Sequence, residues 1–434
     1  MSFLSSIRQT LFWSTDTIRG GAIKKHYNEI KLINENKQST EAKILKGKYL
    51  VRLLNHAIKN TNFYSEAAKK ADLSSFPVIN KDIIRSNYES FQSKEFLNKK
   101  NIQVSTGGST GTPFKLFHNK NKRNRHLADN IYFAENGGYQ LGDKLYLIRA
   151  WHKTGTKYLI QSFKRNIRLY GVINYTDKDM AKLLLDMQTD KNNKSIVCFA
   201  SMCDILVNYL DNSATEEQLN GLNIKSIITD GDALNVVTKD KMQYYFKTPT
   251  VARYGNMECG IMAQQSYSGG HEYQLNEASY YFEVLDLKED KPVKPGEVGR
   301  IVVTDLFNYC VPLIRYDTGD LASYNVVNNV TVFERIEGRK VDLIYNTSGD
   351  ILSPYMVVQK MSEYSELKQF QFAQKDKKEY IFRLNPWTSF NQEQELIADS
   401  KTYLGNDANV TIEYVEEVPL LSSGKRKQVI NEMN

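Results

Sequence analysis

The stretch STGGSTGTP, residues 105–113, packs three glycines and five hydroxyl-bearing residues into nine positions. It follows the strand-like run NIQVS and precedes a second such run, PFKLF, so we expect the glycines in a loop between two strands. Glycine permits a positive φ and a close approach of the backbone, so successive N–H groups can line one concavity that suits phosphate oxygens. The stretch matches neither GxxxxGK[ST] nor GxGxxG, and on its own it is equally consistent with a flexible surface turn.

The rest of the chain predicts an α/β fold in two parts. Short β-branched runs alternate with helical patterns between about 100 and 335, which favours buried strands in an α/β architecture. Residues 1–100 are predicted to be mostly helical. After ERIEGRKVDLI, the strand-like runs QFQFAQ, EYIFRL and VTIEYVEEV surround the helical NQEQELIADSKTYLG. We therefore expect a large N-terminal domain over 1–337, a hinge at 338–342 and a small, mobile α+β domain over 343–434.

The charge of the chain is mildly basic. Lys and Arg number 57 against 50 acidic residues, which gives a formal net charge of +7. This excess suits an anionic ligand or a membrane surface. The basic residues are dispersed and no recognised nucleic-acid motif occurs, so nucleic acid is not the expected partner. The densest basic run, NKNKRNRH (119–126), is interpreted as a solvated helix face.

The cysteines and the opening of the sequence indicate the compartment. The four cysteines are scattered without a CxxC pair, which predicts reduced thiols and a cytoplasmic protein. The opening MSFLSSIRQTLFW has Arg8 inside its apolar run and no small-residue cleavage site. It predicts an amphipathic helix rather than a secretion signal, and we expect contact with membrane-bound partners.

Further stretches carry groups that suit a nucleotide. In YGNMECG, Tyr254 can stack on a purine and Glu258 can offer hard oxygen ligands to magnesium. PLIRYDTGDL places Asp320 in a turn, where a carboxylate can accept hydrogen bonds from vicinal hydroxyls. EGRKVD offers Arg339 at the domain junction, and LLSSGKRK places Lys425 in a glycine-containing loop. Each group also has a purely structural interpretation: a helix-start carboxylate, a turn former, a surface ion pair and a solvated basic tail.

Taken in order, STGGSTGTP, DGDAL, YGNME, YDTGD, EGR and SGK resemble the motifs of the adenylate-forming superfamily of acyl-CoA synthetases, non-ribosomal peptide adenylation domains and luciferases. The resemblance covers most of the chain. GEVGRIVVTDLFNYCVPLIRYDTGDL looks more narrowly like the phenylacetate–CoA ligase family. FWSTDTIRGGAIKKHYNEIK is similar to the branch of that family found in capsule and other surface-polysaccharide pathways.

The resemblance implies an ATP- and Mg²⁺-dependent ligase that activates a carboxylic acid as an acyl-AMP and passes it to an acceptor. Coenzyme A is the default acceptor; the alternative is an amine or hydroxyl of a sugar, amino acid or carrier. Two other classes remain open. A basic binding protein for nucleic acid would lose affinity steeply with salt. A non-catalytic scaffold of the same family would not exchange pyrophosphate into ATP, although the retained Glu258, Asp320 and Lys425 speak against it.

The resemblance also implies roles for individual residues. The loop over the ATP phosphates would consist of Ser105, Thr106, Gly107, Gly108, Ser109, Thr110, Gly111, Thr112 and Pro113. The adenine would be contacted by Gly231, Asp232, Ala233, Tyr254 and the adjoining Gly255. Glu258 would bind Mg²⁺ and act in catalysis, Asp320 would bind the ribose hydroxyls with support from Arg339, and Lys425 would reach the carboxylate and the α-phosphate.

The sequence departs from the family pattern at the hinge and at a zinc site. The superfamily usually has Asp or Lys two residues after the GR arginine, and here that position is Val341, followed by Asp342. Some phenylacetate–CoA ligase relatives carry zinc-binding cysteines between the YGxxE stretch and the GR arginine. MAQQSYSGGH and NNVTVFERIEGR contain no cysteine, so we expect no structural zinc. His271 stands at the matching histidine position and is interpreted first as a structural, hydrogen-bonded residue, with substrate contact as the alternative.

The acyl pocket has only weak candidates. RAWH ends a strand-like run, and strand ends in α/β sheets often border ligand crevices. Arg149, Trp151 and His152 are therefore candidates, with a packed Trp and two incidental polar neighbours as the alternative.

Overall fold

The computed structural model describes residues 3–105, 114–149, 166–171, 176–231, 233–339, 343–352, 354–361, 363–364, 366–418 and 427–433. The predicted fold class is confirmed: a large N-terminal α/β domain is followed by a small C-terminal domain. Five strands in the large domain pair in parallel with helices between them, which is the arrangement that alternating strand and helix patterns predict.

The helices concentrate at the start of the chain, as expected. They are α1 (Phe3–Ile18), α2 (Ala22–Glu35), α3 (Thr40–Asn60), α4 (Asn62–Ala67), a 3₁₀ turn (Leu73–Ser75), α5 (Lys81–Ser86), α6 (Tyr88–Phe91), α7 (Lys120–Asn136), α8 (Asp177–Thr189), α9 (Ala200–Asn212), α10 (Glu216–Leu219), α11 (Val236–Phe246), α12 (Pro354–Met361) and α13 (Glu393–Leu404). Polar caps fix several of their starts. Ser39 caps α3, and Thr176 forms a capping box with Asp179 at α8.

The strands begin with a separate hairpin. They are β1 (Ile102–Ser105), β2 (Lys115–His118), β3 (Lys144–Arg149), β4 (Ile167–Gly171), β5 (Lys194–Phe199), β6 (Ile224–Asp230), β7 (Thr250–Asn256), β8 (Gly260–Gln265), β9 (Tyr273–Leu275), β10 (Tyr280–Leu285), β11 (Val298–Asp305), β12 (Tyr316–Val327), β13 (Val330–Arg339), β14 (Ile344–Tyr345), β15 (Ile351–Leu352), β16 (Leu367–Asp376), β17 (Glu379–Pro386), β18 (Asn409–Tyr414) and β19 (Val429–Asn431).

The large domain is organised around one sheet of 11 strands, ordered β10-β11-β12-β13-β9-β8-β7-β6-β5-β3-β4. Strand β7 joins its two halves. Its first residues pair in parallel with β6, and its last residues pair antiparallel with β8. The parallel half is covered by α8, α9 and α11, and its strand β5 is buried almost throughout, as its unbroken apolar run requires. The end of β7 therefore belongs to both halves and lies where they meet.

The small domain has its own core. Its four-stranded sheet is ordered β18-β17-β16-β19, with α12 and α13 packed beside it. Buried aromatic residues centre on Phe372, whose ring stacks on Tyr380 with centroids 5.8 Å apart. The strand-like and helical runs that the sequence predicts after the domain junction are found as β16, β17, β18 and α13. The exact boundaries 338–342 and 343–434 remain a prediction.

Helix α7 corrects one interpretation of the sequence. Lys122 and Arg125, in the run taken as a solvated helix face, are completely buried. Lys122 Nζ lies 2.6 Å from Asp305 Oδ2 on β11, and the Arg125 guanidinium packs over the Phe307 ring at 4.1 Å. A buried charge is stable only when paired. Asp305 is 183 residues further along the chain than Lys122, and Arg125 Nη1 pairs with Glu29 Oε2 on α2 at 3.3 Å. No pattern in the sequence near α7 predicts these partners.

None of the helices in the described part of the chain combines the length and the apolar character needed to cross a lipid bilayer. The four cysteines, Cys198, Cys203, Cys259 and Cys310, are free and buried.

Candidate active site

Several of the described residues that were predicted to bind a nucleotide lie at one edge of the large sheet. Strands β3, β5, β6 and β7 run in parallel, so their carboxyl ends share an edge. Arg149 ends β3, Gly231 follows β6 with Ala233 close behind, and Tyr254 lies in the last part of β7. In open α/β sheets, ligands bind in the crevice outside this edge.

Glu258 lies in the tight turn between β7 and β8, which begins after Asn256 and ends at Gly260. The Asn256 side chain accepts a hydrogen bond of 2.8 Å from the Cys259 N–H and holds this turn. Gly255 is required there because a Cβ on it would collide with the carbonyl oxygen of Gly260. The turn thus presents a carboxylate at the sheet edge on a rigid hairpin.

The Glu258 carboxylate is almost completely buried, at 1% side-chain exposure. Lys81 Nζ lies 2.9 Å from its Oε1, and the Tyr316 hydroxyl donates to the same oxygen at 2.8 Å. The other oxygen, Oε2, is buried and has no hydrogen-bond partner among the described residues. A buried carboxylate oxygen without a donor is costly, and such a group is often a ligand site.

Asp320 lies beside Tyr254. The Tyr254 hydroxyl donates to Asp320 Oδ2 at 2.8 Å, and the register of β12 and β13 sets Asp320 directly opposite Arg339. Desolvation raises the pKa of Asp320, while the Tyr254 hydroxyl and the Arg339 and Lys81 charges oppose that rise. Burial, with the Asp320 charge adding to it, raises the pKa of Tyr254 well above its ordinary value, so this hydroxyl stays a neutral donor.

The turn in YDTGD separates its two aspartates. Asp317 accepts a hydrogen bond from the Gly319 N–H at 2.9 Å and binds Arg300 Nη1 at 2.9 Å. Gly319 has φ of +79°, a conformation that side chains rarely adopt. Asp317 is thereby tied to β11, whereas Asp320 faces Tyr254. Asp317 is therefore structural, and Asp320 is the aspartate of the site.

The hairpin β1–β2 brings the ends of the glycine loop to the same place. Residues 106–113, and so Thr106, Gly107, Gly108, Ser109, Thr110, Gly111 and Thr112, lie outside the described residues. Ser105 is exposed at the end of β1. Phe114, on the other side of the loop, lies with its ring centre 5.9 Å from Lys81 Nζ, and His118 Nε2 is 2.8 Å from the Glu258 carbonyl oxygen. The residues that follow the loop, from Phe114 to His118, therefore lie beside Lys81 and Glu258.

Lys81 and Tyr316 belong to this cluster although the sequence did not single them out. Lys81 opens the short helix α5, and 177 residues separate it from Glu258, so no spacing rule connects them. Tyr316 is the first residue of YDTGD, and the motif does not predict which group its hydroxyl bonds. Asn80 caps helix α5, because its side-chain oxygen accepts from the backbone N–H groups of Asp82 and Ile83 at 3.0 and 2.9 Å.

We expect Asn80→Ala to lower the free energy of unfolding by about 1 kcal/mol, because a six-residue helix loses two of its capped N–H groups. Since α5 holds Lys81, this variant should also weaken the site. Urea denaturation measures the first effect and a ligand titration the second. Ser39→Ala is the matched control: it removes the cap of α3, away from the site, and should cost similar stability while leaving ligand binding unchanged.

The contact of Tyr254 with Asp320 predicts a pH dependence. If ionised Asp320 accepts from ribose hydroxyls, ATP affinity falls as the pH drops through its raised pKa, because the protonated form loses acceptor capacity. Tyr254→Phe keeps the ring but removes the donor that stabilises the ionised Asp320 carboxylate. The fall in ATP affinity on acidification should therefore occur at a higher pH in this variant. Calorimetric titration with ATP at a series of pH values measures this fall in affinity. Tyr324→Phe, which removes a hydroxyl bonded to the Val293 carbonyl at 2.9 Å, should leave it in place.

Several predicted residues are not brought into this cluster. His271 is exposed, and its carbonyl accepts from Gln265 Nε2 at 2.9 Å, at the far end of β8 from Glu258. That places it roughly 17 Å along the strand from the Glu258 turn. The backbone of Arg149, at the end of β3, lies at the same sheet edge as Tyr254. Their roles remain predictions, as do those of Trp151, His152, Asp232 and Lys425, which lie outside the described residues.

The residues of the cluster fit a magnesium ion through one oxygen atom, Glu258 Oε2. Within the described ranges no group of three or more His, Cys, Asp or Glu side chains is placed to hold a metal. The unpartnered Oε2 of Glu258 offers one hard oxygen ligand. Mg²⁺ is commonly held by one or two carboxylates together with substrate phosphates and water. The cluster therefore suits an ion that arrives with a nucleotide rather than a resident one.

Comparisons with known proteins agree with this architecture. A family model described as the CapK C-terminal domain matches residues 344–432. Protein CapK of Staphylococcus aureus is 23% identical over 438 residues, covering 94% of this chain and 92% of CapK.

Two solved structures are similar over most of the chain. A 2-hydroxyisobutyryl-CoA ligase in the postadenylation state, in complex with 2-HIB-AMP, aligns with a TM-score of 0.72 at 16% identity, covering 91% of this chain and 90% of the ligase. ATP-bound MatB from Rhodopseudomonas palustris aligns with a TM-score of 0.55 at 14% identity, covering 75% of this chain and 66% of MatB. The chain therefore has the fold of the adenylate-forming ligases, with a large N-terminal α/β domain and a small C-terminal domain.

Proposed function

We propose that this protein is an ATP-dependent adenylate-forming ligase that activates a carboxylic acid as an acyl-AMP and transfers the acyl group to coenzyme A. One observation carries the proposal. Tyr254 and Glu258 of YGNME lie together with Asp320 of YDTGD at the sheet edge, and the buried Oε2 of Glu258 has no hydrogen-bond partner among the described residues. The likeness in fold to a CoA ligase that holds an acyl-AMP supports the same reaction class.

The proposed first step joins two anions. A carboxylate oxygen of the acid attacks the α-phosphorus of ATP, a new P–O bond forms, and the bond to the β-phosphate bridging oxygen breaks to release pyrophosphate. The chain must hold the two reactants in line and offset their charge. Tyr254 would pack on the adenine, Asp320 would hold the ribose, and the amides of the 105–113 loop would face the phosphates. When bound, Mg²⁺ supplies charge neutralisation on the phosphate oxygens.

Glu258 and Lys81 have complementary parts in this proposal. Glu258 Oε2 would ligate the ion that accompanies ATP, while Lys81 and Tyr316 fix the other carboxylate oxygen. Lys81 is about one-third exposed at the cluster, so its ammonium can also face an incoming phosphate. Lys425, from the small domain, would stabilise the charge that develops between the attacking carboxylate and the α-phosphate.

In the proposed second step, the thiol of coenzyme A attacks the acyl carbon, AMP leaves, and the thiol proton passes to solvent. The similarity to CapK and the resemblance of residues 12–31 to a surface-polysaccharide branch of the phenylacetate–CoA ligase family support a second acceptor. An amine or hydroxyl of a sugar, amino acid or carrier would then take the acyl group, in the cytoplasm. The two versions differ in whether AMP release with the acid depends on coenzyme A.

A pyrophosphate-exchange screen across aryl, fatty, amino and uronic acids tests the proposal. At least one acid class should drive exchange of labelled pyrophosphate into ATP, and omission of Mg²⁺ should abolish it. Failure to exchange with every class, together with no binding of magnesium ATP in calorimetry, would favour the non-catalytic scaffold.

A further inference from the structure

Helix α1 carries its apolar face outward. Phe3, Leu4, Ile7, Leu11 and Ile18 lie within an arc of about 100° on a helical wheel. All five are exposed, Leu11 at 61% and Ile18 at 87%. A surface helix of a globular protein normally turns such a stripe toward the core. Here the opposite orientation leaves a row of large apolar side chains in contact with water, interrupted by the exposed Ser14.

The opposite, polar face attaches α1 to the protein. Ser5 is buried and its hydroxyl donates to the Asp143 carboxylate, and Arg8 Nη1 lies 3.5 Å from the Gly142 carbonyl oxygen. Asp16 is buried and accepts from the Ile23 and Lys24 N–H groups at 3.3 and 2.8 Å. These contacts fix the rotation of the helix. The outward stripe is therefore set by specific bonds and not by a lack of packing.

The charges around the stripe are one-sided. The first 25 residues contain four basic side chains, Arg8, Arg19, Lys24 and Lys25, and a single acidic one, Asp16, which is occupied in the contacts just described. Arg19 directly follows the exposed Ile18, and Lys24 lies over the Trp13 ring at 4.2 Å. An exposed apolar stripe flanked by basic groups, with an aromatic residue at its end, is the pattern of a helix that lies in an interface with anionic lipid.

We propose that α1 docks the protein on an anionic lipid bilayer, with Phe3, Ile7, Leu11 and Ile18 entering the headgroup–acyl boundary. Arg19 and Lys25 then face lipid phosphates. A second copy of this chain fits the surface less well. Pairing two stripes would bring the two basic sets together, and like charges repel. The one acidic residue of each α1, Asp16, is already bonded to the Ile23 and Lys24 N–H groups.

The test uses the full chain and sedimentation with vesicles. Wild-type protein should pellet with vesicles of equal parts phosphatidylglycerol and phosphatidylcholine, less with pure phosphatidylcholine, and less as salt rises. The double variant Ile7→Glu/Leu11→Glu should lower the coefficient for partition onto the anionic vesicles at least about 30-fold. Two apolar side chains that would enter the bilayer are then charged. Both positions are exposed, so the fold should persist, which circular dichroism checks.

A matched control carries the same charge change elsewhere. Val326→Glu/Val327→Glu alters two exposed residues at the end of β12 and should bind vesicles as the wild type does. The inference is overturned if wild-type protein stays in the supernatant with the anionic vesicles, or if the α1 variant pellets equally well. A wild-type dimer that the α1 variant makes monomeric, without vesicle binding, would overturn it in favour of an interface between copies.

Discussion

Replacing Glu258 by glutamine is expected to lower the rate of acyl-adenylate formation by about 100- to 1,000-fold, the usual effect of losing one group that acts on developing charge. The substitution keeps the shape of the side chain and the acceptor that Tyr316 and Lys81 use, but it removes the negative charge from the buried Oε2. If Oε2 ligates Mg²⁺, the variant should also need a higher Mg²⁺ concentration for half-maximal rate. Pyrophosphate release at varied Mg²⁺ measures both effects.

The free energy of unfolding of Glu258→Gln should change little although its activity is lost. Burying a carboxylate with an unpartnered oxygen is unfavourable, and glutamine relieves that cost. Lys81 loses its ionic partner, but at 31% side-chain exposure it can turn to water. The free energy of unfolding should therefore change by less than about 1 kcal/mol. A structural role for Glu258 would give the reverse: a large loss of stability with activity retained per folded molecule.

Glu277→Gln is the matched control for Glu258→Gln. Glu277 binds Lys37 and Lys46 with its two oxygens and is also largely buried, at 20% side-chain exposure. It lies beyond β9 and contacts none of the residues at the candidate site that the structure describes. Its substitution should leave adenylate formation within a few-fold of wild type. Equal losses in the two variants would contradict the assignment of Glu258.

The sequence predicted the elements well because their patterns are local. The run SIVCF is a continuous apolar strand, and it is found as β5 in the buried parallel part of the sheet. The motif YGNME places Tyr254 and Glu258 four residues apart, and the structure has both on the hairpin of β7 and β8. That they act together stays a prediction. Asp320 is 62 residues further along the chain than Glu258, and only the ordered resemblance connected it to them.

The contacts that the sequence missed are all long-range. Lys81 reaches Glu258 because helix α5 packs beside Phe114 at the end of the glycine loop, and sequence periodicity carries no information on that packing. Lys122 was placed in solvent for the same reason: its partner Asp305 is on a distant strand. A basic residue in a helical run reads as solvated until a buried acid is known to face it. Site residues in loops and on short helices are therefore the least predictable part.

Replacing Lys425 by alanine is expected to lower adenylate formation by about 100- to 1,000-fold while ATP binding changes less, because its ammonium acts on charge that appears only as the carboxylate attacks. The described residues on each side of Lys425, Val418 and Lys427, both bond to strand β16. The Val418 N–H donates to Gln369 Oε1 at 2.9 Å, and Gln371 Nε2 donates to the Lys427 carbonyl at 2.9 Å. Both bonds end on β16, at residues two positions apart.

Lys427→Ala separates the specific lysine from the basic character of its surroundings. It removes the same charge two residues away and leaves the backbone bond to Gln371 in place, so adenylate formation should stay within a few-fold of wild type. Single-turnover assays with ATP and the acid found in the exchange screen measure adenylate formation in both variants, and calorimetry measures their ATP affinity. Wild-type rates in Lys425→Ala would remove that lysine from the reaction, whereas equal losses in both variants would point to general attraction of anions by the segment.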